Sequence, residues 1–234
     1  MKRLLATAVL AICMAILMRS AFAYSESGQA TSKELAFTVY LDDKTIGTHR
    51  VSISNSNGKS EVITEATFKY SILLVPLYSY HLMTTEMWRD GCLTRMTSRT
   101  DDNGDDYFVD ARRSDDNARF FLNTQDGSAE ISGCVYSFAY WDVELLKADR
   151  LLNGQTGQYE TTSLTPLGKQ PFTFGAISTL ANKFSLKTER FEIELWYSNE
   201  GEWLGLQSTT ESGGILRYVS THLVDRLHTG EKKS

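Results

Sequence analysis

Two carboxylates in matching sequences are the first residues of this chain with the type and spacing for chemistry. Glu86 and Glu194 each stand two residues before a tryptophan, Trp88 or Trp196, and a glycine turn follows each pair. Two carboxylates that face one groove perform acid and base catalysis on glycosidic bonds. The favoured interpretation is that both are solvent-facing strand residues. A hydrolase acting on glycans or lipids remains the alternative.

The sequence lacks the other motifs that identify enzymes and metalloproteins. It has no Gly-x-Ser-x-Gly elbow, no glycine-rich phosphate loop and no histidine pair at a metal-binding spacing. The acidic turn at 101–106 fails the EF-hand pattern, because its sixth residue is Asp106 and its twelfth is Arg112. We therefore predict no catalytic residues, no metal and no cofactor. The four histidines, assigned to strand surfaces or the tail, are His49, His81, His222 and His228.

Aromatic residues give the strongest indication of binding. Tyr140 and Trp141 belong to a dense aromatic cluster beside Cys134. Such rings ordinarily form the core of a sheet, and the sharper alternative is that they line an apolar ligand cavity. Arg95 would meet an anionic head group if it pointed inward, and we favour an outward position at a strand edge. The candidate ligand-binding residues are Trp88, Arg95, Tyr140, Trp141 and Trp196.

Short alternating segments must position all of these residues. Apolar residues recur at every second position, as in the stripe Val62, Thr64, Ala66, Phe68 and Tyr70. Turn dipeptides such as Asn57-Gly58 and Asp90-Gly91 separate the segments. Ten or eleven strands at this spacing predict an all-β protein. We predict a single antiparallel meander over 35–224 that forms a spiral or an incompletely closed β-barrel.

One helix is predicted at 142–152, between two β-rich halves. Val143, Leu146, Ala148 and Leu151 can share one helical face, and Gly154 is placed to end it. On either side of it, the two Glu-x-Trp hairpins form a weak repeat about 108 positions apart. We interpret them as equivalent hairpin triplets of one extended meander.

The first 23 residues read as a secretory signal peptide. A basic start and an apolar run at 4–18 precede Ala21-Phe22-Ala23, which predicts cleavage after Ala23. The alternative, an uncleaved anchor, is disfavoured because the run is shorter than the roughly twenty residues of a membrane span. Residues 24–34 are predicted to be a flexible segment and 225–234 a polar tail. The net charge of −5 and pI near 5.4 argue against nucleic-acid binding.

Cysteine usage agrees with export. Cys13 lies in the signal peptide, which leaves Cys92 and Cys134 in the exported chain. Two cysteines in an oxidising compartment favour one disulfide. Two buried free thiols or an intermolecular bridge remain alternatives, and the absence of a Cys-x-x-Cys pair argues against redox chemistry.

Several motifs in combination carry a family resemblance. They are Phe37-Thr38-Val39-Tyr40-Leu41-Asp42-Asp43-Lys44-Thr45-Ile46-Gly47, Glu86-x-Trp88-x-x-Gly91, Thr100-Asp101-Asp102-Asn103-Gly104, Ala139-Tyr140-Trp141, Leu151-Leu152-Asn153-Gly154 and Leu195-Trp196-Tyr197 with Gly201-x-Trp203. The chain resembles an exported bacterial family known only as a domain of unknown function. More remotely, it resembles periplasmic spiral β-barrel proteins linked to envelope integrity. These resemblances imply a broken barrel in the periplasm and no residues of known role.

We therefore expect a non-enzymatic, monomeric periplasmic protein. It would bind a lipid-like or apolar molecule, or an envelope protein partner, on the concave side of its sheet. A module that lacks a cavity and pairs through an exposed strand edge is the third possibility.

Overall fold

The computed structural model describes residues 30–72, 75–116 and 118–229. The predicted signal peptide at 1–23 lies outside the described residues, as do 24–29 and 230–234. The predicted flexible segment is described only from Ala30, and β1 begins at Thr31.

Strands make up most of the described chain. Alternating burial shows why, since Leu35, Phe37 and Val39 in the first strand are buried while their neighbours are less so. The strands are β1 Thr31–Leu41, β2 Lys44–Ser56, β3 Lys59–Ile72, β4 Val75–Arg89, β5 Cys92–Asp102, β6 Asp105–Arg113, β7 Arg119–Thr124, β8 Gly127–Ser132, β9 Arg150–Leu152, β10 Tyr159–Thr161, β11 Ser163–Phe174, β12 Ile177–Lys187, β13 Glu192–Tyr197, β14 Trp203–Thr209 and β15 Ile215–Ser220.

The hairpin turns follow from residues that accept positive φ. Asn57 and Gly58 have φ of 50° and 71°, and Asp90 and Gly91 have φ of 51° and 74°. Two successive positive values are typical of the turn that suits the twist of a β-hairpin. The sequence prediction of these two turns is confirmed.

Thirteen of the strands form one antiparallel sheet. Its order is β11-β12-β13-β14-β15-β1-β2-β3-β4-β5-β6-β7-β8, and β9 pairs only with β10. The meander is broken once, where the C-terminal β15 pairs with the N-terminal β1. Strands β11 and β8 stand at the two edges and are not paired with each other. The sheet is therefore not closed into a barrel, which confirms the predicted open architecture.

The inner face of the sheet carries the main core. Its fully buried side chains include Phe37, Val39, Leu93, Met96, Phe120 and Leu195. The chain between β8 and β11, residues 133–162, packs on this face and is called the crossing segment below. Its Val135, Leu146 and Leu151 are fully buried in the same core.

Several contacts fix the crossing segment to the sheet. Cys92 at the start of β5 is disulfide-bonded to Cys134, with Cα atoms 5.3 Å apart. The Leu93 N–H donates to the Val135 carbonyl at 3.0 Å. The Tyr197 hydroxyl donates to the Tyr140 carbonyl at 2.8 Å. The predicted disulfide is thus present, and it holds the cover of the inner face in place.

A second cluster lies on the outer face and is called the outer cluster. It consists of Tyr40, Phe172, Ala181, Trp196, Leu204, Val219 and Leu223. A register shift between Trp196 and Tyr197 allows Trp203 and Leu206, three residues apart, both to belong to the inner core, while Leu204 lies in the outer cluster. Gly205 is required here, because a Cβ atom would come within 2.7 Å of the Phe172 ring and 2.3 Å of the Tyr218 carbonyl oxygen.

Helical structure differs from the sequence prediction. The helix predicted at 142–152 is a single 3-10 turn, Leu145–Lys147, followed by β9. Leu151 and Leu152 are both fully buried, because β9 pairs with β10 and also bridges to Ser137. Strand pairing that buries both residues replaces the predicted helical face. The helix α1, Thr221–Thr229, begins before the predicted tail at 225–234 and buries Leu223 in the outer cluster.

Candidate ligand cavity

A cavity of about 330 Å³ lies between the inner face of the sheet and the crossing segment. Strands β2, β3 and β4 form one wall, β13, β14 and β15 form another, and the crossing segment covers it. Seven aromatic rings line it: Tyr80, Phe138, Tyr140, Trp141, Phe191, Trp203 and Tyr218. The volume falls at the lower end of the range for small-molecule sites.

The Glu86 carboxyl is buried in the wall of this cavity. It lies on β4 between Val62 of β3 and Met96 of β5. Trp88 Nε1–H donates to Glu86 Oε2 at 3.0 Å. Burial raises the pKa of Glu86, and the nearby Ser137 hydroxyl and the Trp88 indole oppose that rise. The structure therefore favours a protonated carboxyl more strongly than water does.

Two polar atoms in the cavity wall have no aligned hydrogen-bond partner among the described residues. They are Ser137 Oγ and His49 Nδ1, and both residues are buried. Burial lowers the pKa of His49 to about 4, so this imidazole is neutral near pH 7. Its ring packs edge-on against Phe37 and Trp203. The sequence assigned His49 to a strand surface, and that assignment is wrong.

Further along β4, the cavity wall carries the hydroxyl of Tyr80 and the amide of Gln155. The Tyr80 hydroxyl donates to Gln155 Oε1 at 3.2 Å, and Gln155 Nε2 donates to Asp102 at 2.9 Å. Burial and the negative charge of Asp102 raise the pKa of Tyr80. The crossing segment is thereby tied to β4 and β5 at this end by an amide that spans both.

The chemistry of the wall is aromatic and acidic. Among the described residues that line the cavity, Glu86 is the one carboxyl, and none is a lysine or an arginine. Aromatic faces attract both apolar groups and cations. The arrangement is suited to holding a small molecule with an apolar surface and few polar groups.

Comparison with known proteins agrees with this architecture. The family model of a domain of unknown function, DUF6134, matches residues 37–221. The chain belongs to this family. The resemblance inferred from the sequence motifs is therefore confirmed. No curated protein matches the chain.

A solved structure shares the fold of this DUF6134 domain. It is described as a beta-barrel-like protein of the domain of unknown function DUF1849 from Brucella abortus. The likeness has a TM-score of 0.57 at 11% identity, and covers 80% of this chain and 94% of the other. It shows the fold alone.

The sequence-predicted binding residues of the DUF6134 domain are divided between its two faces. Tyr140 and Trp141 line the cavity. Trp88 lies directly beside it, with its ring edge-on to Trp141 at 5.9 Å between centroids. Arg95 is exposed, and Trp196 is buried in the outer cluster, so the structure brings neither to the cavity.

The two candidate carboxylates do not share a groove. Glu86 is buried on the inner face, whereas Glu194 lies on the outer face beside Trp196. Glu194 is paired with Lys183, Nζ to Oε1, at 2.6 Å. The acid-and-base pair considered from the sequence is therefore not formed.

Sequence reasoning missed His49 and Ser137 as cavity residues, and its favoured solvent-facing position of Glu86 is wrong. The signal for Glu86 was its phase: it continues the inward series Leu82-Thr84-Glu86-Trp88 of β4. A carboxyl in phase with buried residues indicates an acid that faces the interior. Ser137 carries no such signal, because it lies in the irregular crossing segment.

Two further features of the described residues bear on function. They contain no group of three His, Cys, Asp or Glu residues positioned to hold a metal ion. No helix among them has the length and apolar character needed to cross a membrane.

Proposed function

We propose that this DUF6134 domain is a non-enzymatic small-molecule-binding protein of the bacterial periplasm. The observation that carries the proposal is the aromatic-lined cavity under a disulfide-anchored cover. A disulfide is typical of an oxidising compartment, and the sequence predicts export by a cleavable signal. The bacterial setting rests on the family resemblance of the sequence.

The cavity favours a ligand with a compact apolar part. About 330 Å³ accommodates a small molecule or one end of a longer one. A two-chain lipid would exceed this volume. Binding rather than catalysis is proposed, because Glu86 is the one carboxyl among the described residues that line the cavity, and Glu194 lies on the other face.

Native mass spectrometry of protein purified from a periplasm tests this proposal. We expect a mass excess over the disulfide-bonded mature chain that disappears on denaturation. Leu82→Trp places bulk in the cavity wall, and we expect it to abolish the excess. Met83→Trp is the matched control, because Met83 is the next residue on β4 and is 46% exposed. A bare mass in the wild type would contradict the proposal, as would equal retention by a folded Leu82→Trp protein.

A further inference from the structure

The outer face shows what a Glu-x-Trp pair of this chain binds. Lys183 Nζ lies 2.6 Å from Glu194 Oε1 and 4.9 Å from the centroid of the Trp196 ring. One ammonium thus contacts a carboxylate and an aromatic face at once. Both contacts stabilise a positive charge.

The inner face has the same kinds of group, a carboxyl and aromatic rings, but its described cavity lining supplies no ammonium or guanidinium group. Glu86 accepts a hydrogen bond from Trp88, and Trp141 packs edge-on to the same indole. Seven aromatic rings line the cavity that Glu86 borders. No lysine or arginine lies among the described lining residues. Glu86 therefore has no lysine or arginine partner among the described residues of the cavity wall.

Two buried polar atoms point to the same kind of ligand. Ser137 Oγ lies beside the Glu86 carboxyl and has no aligned partner within the described chain, and His49 Nδ1 is likewise unpartnered. The hydroxyl oxygen carries lone pairs, and Nδ1 does so when the neutral imidazole is protonated on Nε2, so both atoms are compatible with a positive group. No lysine or arginine among the described lining residues would compensate the charge of an anionic ligand, so its burial would be costly.

We propose that the ligand is an organic cation, an ammonium group on a compact apolar body, held by Glu86 and the aromatic rings of the cavity. This inference rests on the proposed small-molecule function and names its ligand class. A free amine-derived cation and the trimethylammonium end of a single-chain amphiphile share this chemistry.

Proton release accompanies binding. Burial favours the protonated Glu86 carboxyl, and a bound cation favours the carboxylate. Each cation that binds a protonated carboxyl therefore displaces one proton to the buffer. The other titratable groups on the wall are His49 from β2, Tyr80 from β4, Tyr140 from the crossing segment and Tyr218 from β15. All four are neutral near pH 7, because burial lowers the pKa of His49 and raises those of the tyrosines.

Calorimetric titration with a matched set of probes tests the inference. Choline is the cation, 3,3-dimethyl-1-butanol is its uncharged isostere, and dodecyltrimethylammonium carries the same head on a single chain. We expect choline to bind at least tenfold more tightly than the alcohol. Tighter binding of the long-chain probe than of choline would identify the amphiphile as the source, and equal binding the free cation. Buffers of different ionisation enthalpy should report proton release below neutral pH.

Variants separate this inference from the proposed function. Glu86→Gln keeps a hydrogen-bond acceptor for Trp88 Nε1–H. It should weaken the binding of choline at least tenfold and leave the binding of the alcohol unchanged. Trp141→Leu is a second test variant, because loss of the indole should weaken the binding of choline more than the binding of the alcohol. Glu194→Gln, on the outer face, should leave both unchanged. Equal binding of choline and the alcohol, or full choline binding by Glu86→Gln, would overturn the proposal that the ligand is a cation. The proposed small-molecule function would stand, because the cavity would still bind a probe. If no probe binds, the proposal of a cationic ligand is also overturned. Native mass spectrometry would then test the proposed small-molecule function separately.

Discussion

The two Glu-x-Trp hairpins have the same local sequence and opposite placement in the sheet. Glu86 and Trp88 face the inner side, whereas Glu194 and Trp196 face the outer side. In β13 the alternating residues Ile193, Leu195 and Tyr197 occupy the inner face, which leaves the acid outside. Since side chains alternate along a strand, the phase of the whole strand decides where an acid lies.

This difference in placement produces a difference in electrostatics. Glu194 is partly exposed and pairs with Lys183, as expected for a surface carboxylate. Glu86 is buried with a neutral indole donor and a raised pKa. The outer carboxylate has a basic partner in the protein, Lys183, whereas the inner carboxyl faces a cavity.

The largest expected effect concerns the disulfide that holds the crossing segment on the inner face. Replacing Cys92 and Cys134 together by serine opens a loop with a sequence separation of 42 residues. We expect the free energy of unfolding to fall by about 4 kcal/mol from loop entropy. Urea denaturation measures this free energy. The rate of amide hydrogen exchange should rise more at 135–141 than in β13. A loss below about 1 kcal/mol would show that the crossing segment is held without the disulfide.

Acid should destabilise the inner side through His49. Its pKa is about 4 in the folded protein against 6.5 unfolded, so the unfolded chain binds the proton more readily. Stability is therefore lost as the pH falls from about 6.5 through 4, by about 3 kcal/mol in total. Urea denaturation at several pH values should show this slope in the wild type and a smaller one in His49→Phe. Equal slopes in the two proteins would contradict the assignment.

Tryptophan replacements compare the two motifs directly. Trp88→Phe removes the donor to Glu86 and leaves a buried acceptor unpaired, which costs about 1–3 kcal/mol. Trp196→Phe removes an Nε1–H that has no partner among the described residues, so no hydrogen bond is lost. Thermal and urea unfolding should rank Trp88→Phe as the more destabilised protein. The reverse order would contradict the account.

The smallest effects are expected from the glutamates, with opposite signs. The pKa of Glu86 is raised, so the folded state holds its proton and stability falls as the pH rises from about 4.5 through that pKa. Glu86→Gln removes this loss and should be more stable than the wild type at pH 8. Glu194→Gln breaks a partly exposed ion pair and should lose less than about 1 kcal/mol. Salt at 1 M should reduce the difference in stability between Glu194→Gln and the wild type. It should leave the difference between Glu86→Gln and the wild type unchanged.

The sequence predicts the parts of this molecule that depend on local geometry. Asn57-Gly58 marks its turn because both residues tolerate positive φ, and Phe37 and Val39 follow strict alternation. Alternation counted from Leu93 fails at Arg95, because the register shift at Met87/Trp88 inserts Thr94, whose hydroxyl donates to the Met87 carbonyl, and turns Arg95 outward. Nothing local indicates such a shift.

The cavity depends on contacts between distant parts of the chain. Ser137 reaches Glu86 only because a disulfide and the bridge to Leu152 place the crossing segment on the inner face. The bridge to Ser137 and the pairing with β10 also place 150–152, the end of the predicted helix, in β9. Aromatic composition identified Tyr140 and Trp141 as candidates, while the contact between Glu86 and Ser137 required the three-dimensional structure.

The most direct test of the inner motif is a carbon-13 NMR titration of the Glu86 carboxyl. The resonance, assigned by its loss in Glu86→Gln, is followed against pH with and without saturating choline. We expect a pKa above 4.5 in the free protein and a clearly lower pKa with choline bound, because the cation stabilises the carboxylate. The same pKa in both samples, or a free pKa at or below 4.5, would contradict the account.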